Sequence, residues 1–338
     1  MYKRFMVMGL ALVGVVLLPA WPAAGQQTKA PQSKKNYAFK PALHSVSYAG
    51  VWRGQPTLTV DQFLLKAKEL GYPAVVLVGK RPHVSPFDYD EAGRARLKAR
   101  IKELGLELAA LMGYVDFTAG MNHLGIPSAE IGASHVANLA KLAHDLGTTR
   151  LRIFSAYEVP GVPYDQQYGE LVKGLKLAAK EAAKYGVTLM VQNHHDIAAH
   201  HDQMAWLLRE VNEPNVKAAF DAWTPTLEGV RGKELEAAVK TMAPHMVFTT
   251  VADYVKQKRY RYEIPVVNFV RQEPDLVRAV PVGEGIVDYP SFFKALKDIG
   301  YKGYVAYEMC EVLDGGPSME NLDRTARKFL EYMREVGE

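Results

Sequence analysis

Apolar and polar residues follow a repeating unit along the chain: an amphipathic helix, a single glycine and a short apolar strand. Phe63, Ala67 and Leu70, for example, lie four and three positions apart, a spacing that places apolar side chains on one face of a helix. Glycine tolerates the left-handed conformation that ends many helices, so a glycine after such a pattern predicts a helix C-terminus. The five glycines in this position are Gly71, Gly105, Gly147, Gly186 and Gly300.

The segments that follow are short and apolar on both faces, which is typical of parallel strands covered by helices. Strands are predicted at residues 43–48, 74–78, 106–111, 150–154, 188–192, 216–220, 246–251 and 303–307. Eight strands interleaved with helices over about 300 residues predict a closed (β/α)8 barrel, that is, a TIM barrel. An open doubly wound sheet is the alternative, but no glycine-rich phosphate motif follows the first strand.

The N-terminus departs from this repeat. Lys3 and Arg4 precede an apolar run over residues 5–18, and Pro19 and small residues at 23–25 follow it. Signal peptidase recognises this order of basic, apolar and small regions, and the run is shorter than the ~20 residues of a membrane span. We therefore expect a cleaved signal peptide and a periplasmic or secreted protein that is not held in a membrane. An uncleaved anchor is the alternative.

These features divide the chain into three parts. Residues 1–25 are the predicted signal peptide. Residues 26–40 are rich in Gln, Lys, Ser and Pro, which predicts a disordered linker. Residues 41–338 form the predicted barrel domain.

Charge and cysteine content restrict the partners. The formal net charge is +4, and Lys3 and Arg4 of the signal peptide account for two of these charges. So small an excess argues against nucleic acid as a partner, because phosphate binding needs clustered cations. Cys310 is the only cysteine, so the exported protein forms no internal disulfide.

Polar residues follow the predicted strands of the second half. Strand five ends in Gln192, followed by His194 and His195, and Asp221 and Glu308 end strands six and eight. The C-terminal ends of barrel strands meet at one mouth, where the active sites of TIM barrels lie. Two carboxylates with an amide oxygen and a histidine are suitable donors for a divalent cation such as Mn2+ or Mg2+.

Three segments carry a family resemblance. They are NVKAAFD at residues 215–221, PVGEGIVDY at 281–289 and GYVAYE at 303–308. These segments resemble the strand-six, pre-helix-seven and strand-eight signatures of the xylose isomerase-like TIM barrel superfamily, which includes sugar phosphate isomerases and epimerases.

The resemblance implies a divalent metal held by an acid on strand five, Asp on strand six, His on strand seven and Glu on strand eight. Asp221 and Glu308 match this pattern, whereas Gln192 and Thr250 stand where the strand-five acid and the His are expected. His194 shares the direction of Gln192 and is a replacement ligand. The expected metal ligands are therefore Asp221, Glu308, Gln192 and His194, and the expected ion is Mn2+, Mg2+ or Zn2+.

The resemblance also implies a metal-dependent isomerase or epimerase of a small sugar or keto-sugar, with a keto-sugar lyase or hydratase as a variant of the same chemistry, and the signal-peptide pattern makes it an exported enzyme. Glu308 or His195 is expected to move the proton. A glutamine cannot accept a proton at neutral pH, so Gln192 argues against an epimerisation that uses two carboxylate bases.

Five residues at the strand ends are predicted to contact the sugar. Trp223 follows strand six and can stack on a sugar ring, although core packing is its simpler role. The other predicted substrate contacts are His194, Arg152, His44 and Lys80.

Each site residue has a simpler interpretation. Asp221 and Glu308 could form a buried ion pair with Arg152, since buried charges need partners. His194 and His195 could satisfy backbone groups of their loop.

Two other functions are compatible with such a barrel. A barrel that has lost catalysis and only binds glycans is favoured by Gln192 and Thr250. A DNA-repair endonuclease of the related barrels needs a histidine-rich zinc cluster, which the low charge, the signal peptide and Thr250 oppose.

A long segment at residues 254–280 is too aromatic for a disordered linker. We predict that it is ordered and folds over the barrel mouth as one wall of the sugar site. A contact in a homo-oligomer is its alternative role.

Overall fold

The computed structural model describes residues 37–123 and 125–337. The predicted signal peptide at residues 1–25 lies outside the described residues, as does the predicted linker up to residue 36. The described strands are β1 (Lys40–His44), β2 (Ala74–Val78), β3 (Glu107–Met112), β4 (Arg150–Phe154), β5 (Thr188–Gln192), β6 (Val216–Ala219), β7 (Met246–Val251), β8 (Asp253–Glu263), β9 (Asn268–Val280) and β10 (Tyr304–Tyr307).

The described helices are α1 (Val60–Leu70), α2 (Glu91–Glu103), α3 (Ser128–Leu146), α4 (Tyr164–Ala183), α5 (His201–Val211), α6 (Trp223–Leu227), α7 (Gly232–Met242), α8 (Tyr289–Asp298) and α9 (Met319–Glu335). Among them, none has the length and apolar character that crossing a membrane requires.

Eight parallel strands close into a barrel in which β1 pairs with both β2 and β10, and β10 pairs with β7. This arrangement confirms the predicted (β/α)8 barrel, because an open doubly wound sheet would leave two edge strands unjoined. The remaining strands, β8 and β9, form a separate antiparallel pair.

The glycines predicted to end helices all adopt the left-handed conformation, with φ between 64° and 94°. Gly71 and Gly147 cap α1 and α3, and their N–H groups donate to carbonyls of the last helical turn. Each of these glycines lies where the chain turns from a helix into the next strand. Their positions in the sequence therefore mark the boundaries between these helices and strands.

The first strand differs from its prediction. β1 ends at His44, and Ser45–Tyr48 form a short 3-10 helix. The Nδ1 of His44 accepts a hydrogen bond from the Val46 amide at 3.1 Å and so caps this turn. The apolar pattern continues through the turn, which is why hydrophobicity alone extended the predicted strand.

The inside of the barrel is filled by a cluster of mainly small apolar side chains, and this cluster defines which strand positions face inward. Its members include Ala42, Met190, Phe248 and Ala306. Side chains alternate along a strand, so the residues two positions further on also face inward, at the mouth. These residues are His44, Gln192, Thr250 and Glu308.

Residues 254–280 form a hairpin rather than a loop that covers the mouth. Tyr254 lies at its base and is buried, whereas Tyr260, Ile264 and Phe269 toward its tip are exposed. The prediction of an ordered segment is confirmed. The prediction that its tyrosines line the site is confirmed for Tyr254 and wrong for Tyr260 and Tyr262, which do not line the cavity described below.

Candidate active site

A cavity of about 700 Å3 opens at the C-terminal ends of the barrel strands. Seven of the residues predicted for the site line it: Lys80, Arg152, Gln192, His194, His195, Trp223 and Glu308. Asp221 and His44 lie against these residues and are themselves buried. The structure therefore brings all nine predicted site residues to one end of the barrel.

Glu308 follows β10 and is half-buried at the edge of the cavity. Burial raises the pKa of its carboxyl to about 7, against a smaller opposing effect of the Arg152 charge, while the negative charge of Asp221 raises it further. The Cys310 and Thr250 side chains lie near this carboxyl and oppose the rise with smaller effects. A carboxyl with a pKa near neutrality can both release and accept a proton, which general acid–base chemistry requires.

His44 lies beside Glu308 at the end of the neighbouring strand, with its Nε2 3.5 Å from Glu308 Oε2. Burial, followed by the charges of Arg152 and His83, holds the pKa of His44 well below its usual value, so the ring is neutral. Its Nδ1 accepts a hydrogen bond from Val46, so the proton of the neutral ring is on Nε2 and faces the carboxylate.

Asp221 is held in a buried network beside Gln192. The Nε2 of Gln192 donates to Asp221 Oδ2 at 2.6 Å and to Thr250 Oγ1 at 3.0 Å. The backbone amide of Trp223 donates to Asp221 Oδ1 at 3.0 Å. Burial raises the pKa of Asp221 in spite of these donors. Asn193 fixes the loop, since its side chain exchanges two hydrogen bonds with the backbone of Asp221.

His194 and His195 contact each other, with their Nδ1 atoms 2.8 Å apart. His194 Nδ1 also accepts from the His195 amide at 2.9 Å, so His195 Nδ1 is the donor of the pair. The single lone pair of a neutral His194 is therefore used within the loop. Burial and the charges of His194 and Arg152 lower the pKa of His195 to about 4, which makes it a weaker base than Glu308.

Aromatic rings form one side of the cavity. The ring centroids of Trp223 and Tyr254 are 4.2 Å apart, and both residues line the cavity. This pair presents flat apolar surface of the kind that stacks on a sugar ring.

Arg152 and Lys80 line the cavity on the side of the closed barrel formed by β2, β3 and β4. Asp221 and Glu308 lie on the opposite side, formed by β6, β7 and β10. Among the described residues Arg152 has no ion pair, so the simpler interpretation of a buried pair with Asp221 or Glu308 is not what the structure shows. Tyr114, which follows β3, contacts both cations and was missed in the sequence. Its position two residues beyond a strand end, like that of Lys80, is the signal that could have identified it.

Asp253, which follows β7, was also missed. Its Oδ2 accepts from the backbone amides of Gly283 and Gly285 at 2.9 Å each, and its Oδ1 accepts from Tyr254 and Val287. A Cβ on Gly285 would lie 2.1 Å from Asp253 Oδ1, so only glycine fits there. The Asp253 carboxylate thus holds the turn within residues 281–289, the second of the three segments that resemble the family.

A model of the xylose isomerase-like TIM barrel family matches residues 64–336. The chain belongs to this family. Comparison with curated proteins gave no match.

Solved structures similar to this xylose isomerase-like barrel include sugar epimerases and a dehydratase. D-psicose 3-epimerase with D-tagatose from Clostridium cellulolyticum H10 is 16% identical, with a TM-score of 0.65 over 89% of this chain and 100% of that chain. The probable 3-DHS dehydratase of petrobactin synthesis from Bacillus anthracis is 17% identical, with a TM-score of 0.64 over 87% and 98%. A xylose isomerase domain protein from Planctomyces limnophilus is 16% identical, with a TM-score of 0.62 over 89% and 97%. At these identities the likeness shows the shared fold.

The donor set at the mouth of this xylose isomerase-like barrel fits a hard divalent cation. Asp221 and Glu308 supply carboxylates, and the Oε1 of Gln192 is buried without a hydrogen-bond partner in the described part of the chain. An amide oxygen that lacks a donor is available as a ligand. His194 is less suitable, because its lone pair is engaged with His195.

A second group of donors lies outside the cavity. Over residues 37–123 and 125–337, the only three His, Cys, Asp or Glu side chains whose ligand atoms lie within 4.8 Å of one another are His200, His201 and Glu228. His200 caps α5, since its side chain accepts a hydrogen bond from the Asp202 amide. Any measurement of metal binding must therefore distinguish this surface group from the mouth of the barrel.

Proposed function

We propose that this chain is an enzyme that acts on a sugar or keto-sugar by moving a proton next to a polarised carbonyl group. Isomerisation, epimerisation and elimination or hydration of a keto-sugar all pass through the same enolate-type intermediate. The observation that carries the proposal is Glu308, a carboxyl with a pKa of about 7 that borders the cavity. The names of two kinds of structural neighbour, sugar 3-epimerases and a dehydratase, support this class of reaction.

Glu308 is the proton carrier of the proposed reaction. The Nε2 of His44, on the neighbouring strand, lies 3.5 Å from its Oε2, and Cys310 also lies near this carboxyl at the cavity edge. Gln192 lies beside Asp221 in the cavity but cannot accept a proton at neutral pH. We therefore favour a reaction in which one carboxyl group removes and returns the proton, such as an isomerisation or a β-elimination, over an epimerisation with two carboxylate bases.

We further propose that Asp221, Glu308 and the amide oxygen of Gln192 hold a divalent cation, Mn2+ or Mg2+ in preference to Zn2+. Bound there, the cation would polarise the substrate carbonyl and lower the energy of the enolate. Trp223 and Tyr254 would position the sugar by stacking. The signal-peptide pattern supports a periplasmic or secreted location for this reaction.

A second candidate function is a barrel that binds glycans without turnover. The amide of Gln192 faces Asp221 where the family pattern leads one to expect a carboxylate, which favours this reading. The two functions differ in whether carbon-bound protons of the ligand exchange with solvent.

The deciding experiment measures that exchange directly. The protein, loaded with Mn2+, is incubated in D2O with a panel of ketoses, aldoses and sugar acids, and proton NMR follows the loss of carbon-bound protons. We expect exchange with at least one compound, and we expect Glu308→Gln to slow it by at least about a hundredfold. Lys180→Gln, on the exposed face of α4, is the matched control. Ligand binding without exchange would support the glycan-binding barrel instead.

A further inference from the structure

Arg152 is a buried cation without an ionic partner. Its side chain is 1% exposed, yet it lines the cavity. Its Nε faces Met112 Sδ at 3.1 Å and its Nη1 faces the Gly113 carbonyl at 3.4 Å. In the part of the chain that the structure describes, no carboxylate oxygen lies within 4.0 Å of it. Buried arginines are normally paired, so this one is arranged for an anion that comes from outside the protein.

Lys80 is a second cation at the same place. Its Nζ lies 3.8 Å from the centroid of the Tyr114 ring, and the Cζ of Arg152 lies 5.2 Å from that centroid. Burial, and then the charge of Arg152, lowers the pKa of Lys80. Two cations that share one aromatic ring in a partly dehydrated cavity repel each other, and a bound anion would relieve that repulsion.

The other charged groups in this wall are already engaged. Arg81 donates to Asp88 from both Nε and Nη2. Asp116 Oδ1 accepts from the amide and the hydroxyl of Thr118. The cations that remain for a ligand are Lys80 and Arg152.

Charge is also separated across the mouth. Lys80 and Tyr114 follow β2 and β3 and Arg152 lies on β4, whereas Asp221 and Glu308 follow β6 and β10. A ligand with an anionic end at the cations would therefore extend the rest of the molecule toward Glu308, the proposed proton carrier.

The backbone favours a carboxylate over a phosphate as the anion. TIM barrels frequently bind phosphate with backbone amides of the loops after strands seven and eight. Here the amides of Gly283 and Gly285, in the loop after the seventh barrel strand, already donate to Asp253. The carboxylate of Asp253 therefore uses the backbone amides that a phosphate would need, and Lys80 and Arg152 lie on the other side of the barrel.

We infer that Lys80 and Arg152, around Tyr114, bind a carboxylate group of the substrate, which makes an acidic sugar such as a uronate or an aldonate the substrate class. This inference rests on the proposed function, because it takes the cavity as the active site. It adds a specificity that the fold does not imply, since the preference depends on two side chains of this chain.

The test is calorimetric titration of the Mn2+-loaded protein with D-glucuronate, D-galacturonate and D-gluconate, and with the uncharged sugars D-glucose and D-galactose. We expect at least one acid to bind about tenfold or more tightly than its uncharged counterpart. Lys80→Gln should remove most of that preference, because it should weaken the binding of acids more than the binding of uncharged sugars. Lys180→Gln should change neither. Arg152→Gln is the stronger variant, but Lys80→Gln keeps the test informative if loss of the buried arginine prevents folding.

Three results would overturn the inference. They are equal affinity for acids and uncharged sugars, no measurable binding of any acid, and an acid preference that survives Lys80→Gln. Inorganic phosphate is added in a competition arm, and phosphate that binds more tightly than every acid would assign the cations to a phosphorylated ligand and overturn it as well.

The design separates this inference from the proposed function. Glu308→Gln should slow deuterium exchange by at least about a hundredfold and still prefer acids over uncharged sugars, because Lys80 and Arg152 are unchanged. Exchange without an acid preference would overturn the inference alone. An acid preference without exchange in any compound would overturn the proposed reaction alone.

Discussion

The Nε2 of His44 lies 3.5 Å from Oε2 of Glu308, and the imidazole is neutral. A protonated histidine at this distance would favour the carboxylate form and lower the pKa of Glu308. A neutral imidazole orients the carboxyl without supplying that charge. Burial therefore dominates, and the pKa of Glu308 rises to about 7.

Ionisation of the buried Glu308 carboxyl at high pH should lower the free energy of unfolding. Its pKa in the folded protein, about 7, is above the ordinary value of 4.5, so the folded state binds the proton more tightly than the unfolded state. The stability from this group is fully present below about pH 4.5 and is lost as the pH rises to about 7. Its side chain is 13% exposed, and the difference between the two pKa values corresponds to about 3 kcal/mol. Glu308→Gln should therefore be relatively more stable than wild type at pH 8 than at pH 4.5.

Urea denaturation of the chelated protein at several pH values checks this expectation, since a chelator removes any contribution from bound metal. Glu331→Gln, an exposed change on α9, is the matched control. A difference between Glu308→Gln and wild type that does not vary with pH would contradict the raised pKa.

Asp253 should be a major structural carboxylate. It accepts hydrogen bonds from four backbone amides, and Asp253→Asn replaces one acceptor oxygen with a donor that faces those amides. We expect a loss of about 2 to 4 kcal/mol in the free energy of unfolding, measured by urea denaturation. Asp298→Asn, in an exposed pair with Lys294, should cost less than about 1 kcal/mol. Equal costs would show that the turn does not depend on Asp253.

Mn2+ should raise the melting temperature of the wild-type protein, because a ligand that binds only the folded state stabilises it. At 100 times the dissociation constant the gain is about 2.7 kcal/mol. Asp221→Asn should remove the shift and lower the metal content measured by mass spectrometry. His201→Gln should keep it. The reverse result would place the cation at the group of His200, His201 and Glu228.

The outer part of the hairpin should be dispensable for ligand binding. Arg259 and Gln272 are paired across the two strands, so residues 260–271 can be replaced by Asn-Gly without moving the base that carries Tyr254. We expect an unchanged melting temperature within a few degrees and unchanged affinity for the best ligand of the panel. Tyr254→Ala, at the cavity wall, is the positive control that should weaken binding. Weaker ligand binding by the protein with the shortened hairpin would show that the hairpin tip contributes to the site.

Much of the architecture was determined by the sequence alone, since it depends on local rules. The helix periodicity, the glycines that end helices and the doubly apolar strands predicted all eight barrel strands, and four of them with the observed bounds. The same rules placed Gln192, Asp221 and Glu308 at the mouth, because the end of a parallel strand fixes where the next polar residue lies.

The contacts within the site were decided by the tertiary structure. Neither the 3.5 Å contact of His44 with Glu308 nor the absence of a carboxylate beside Arg152, among the residues described, follows from spacing, because these residues come from strands far apart in the chain. The raised pKa of Glu308 depends on how much water the barrel excludes from its carboxyl. Hydrophobic periodicity encodes which residues are buried, but the charge state of a buried group depends on its neighbours in space, and only closure of the barrel brings those neighbours together.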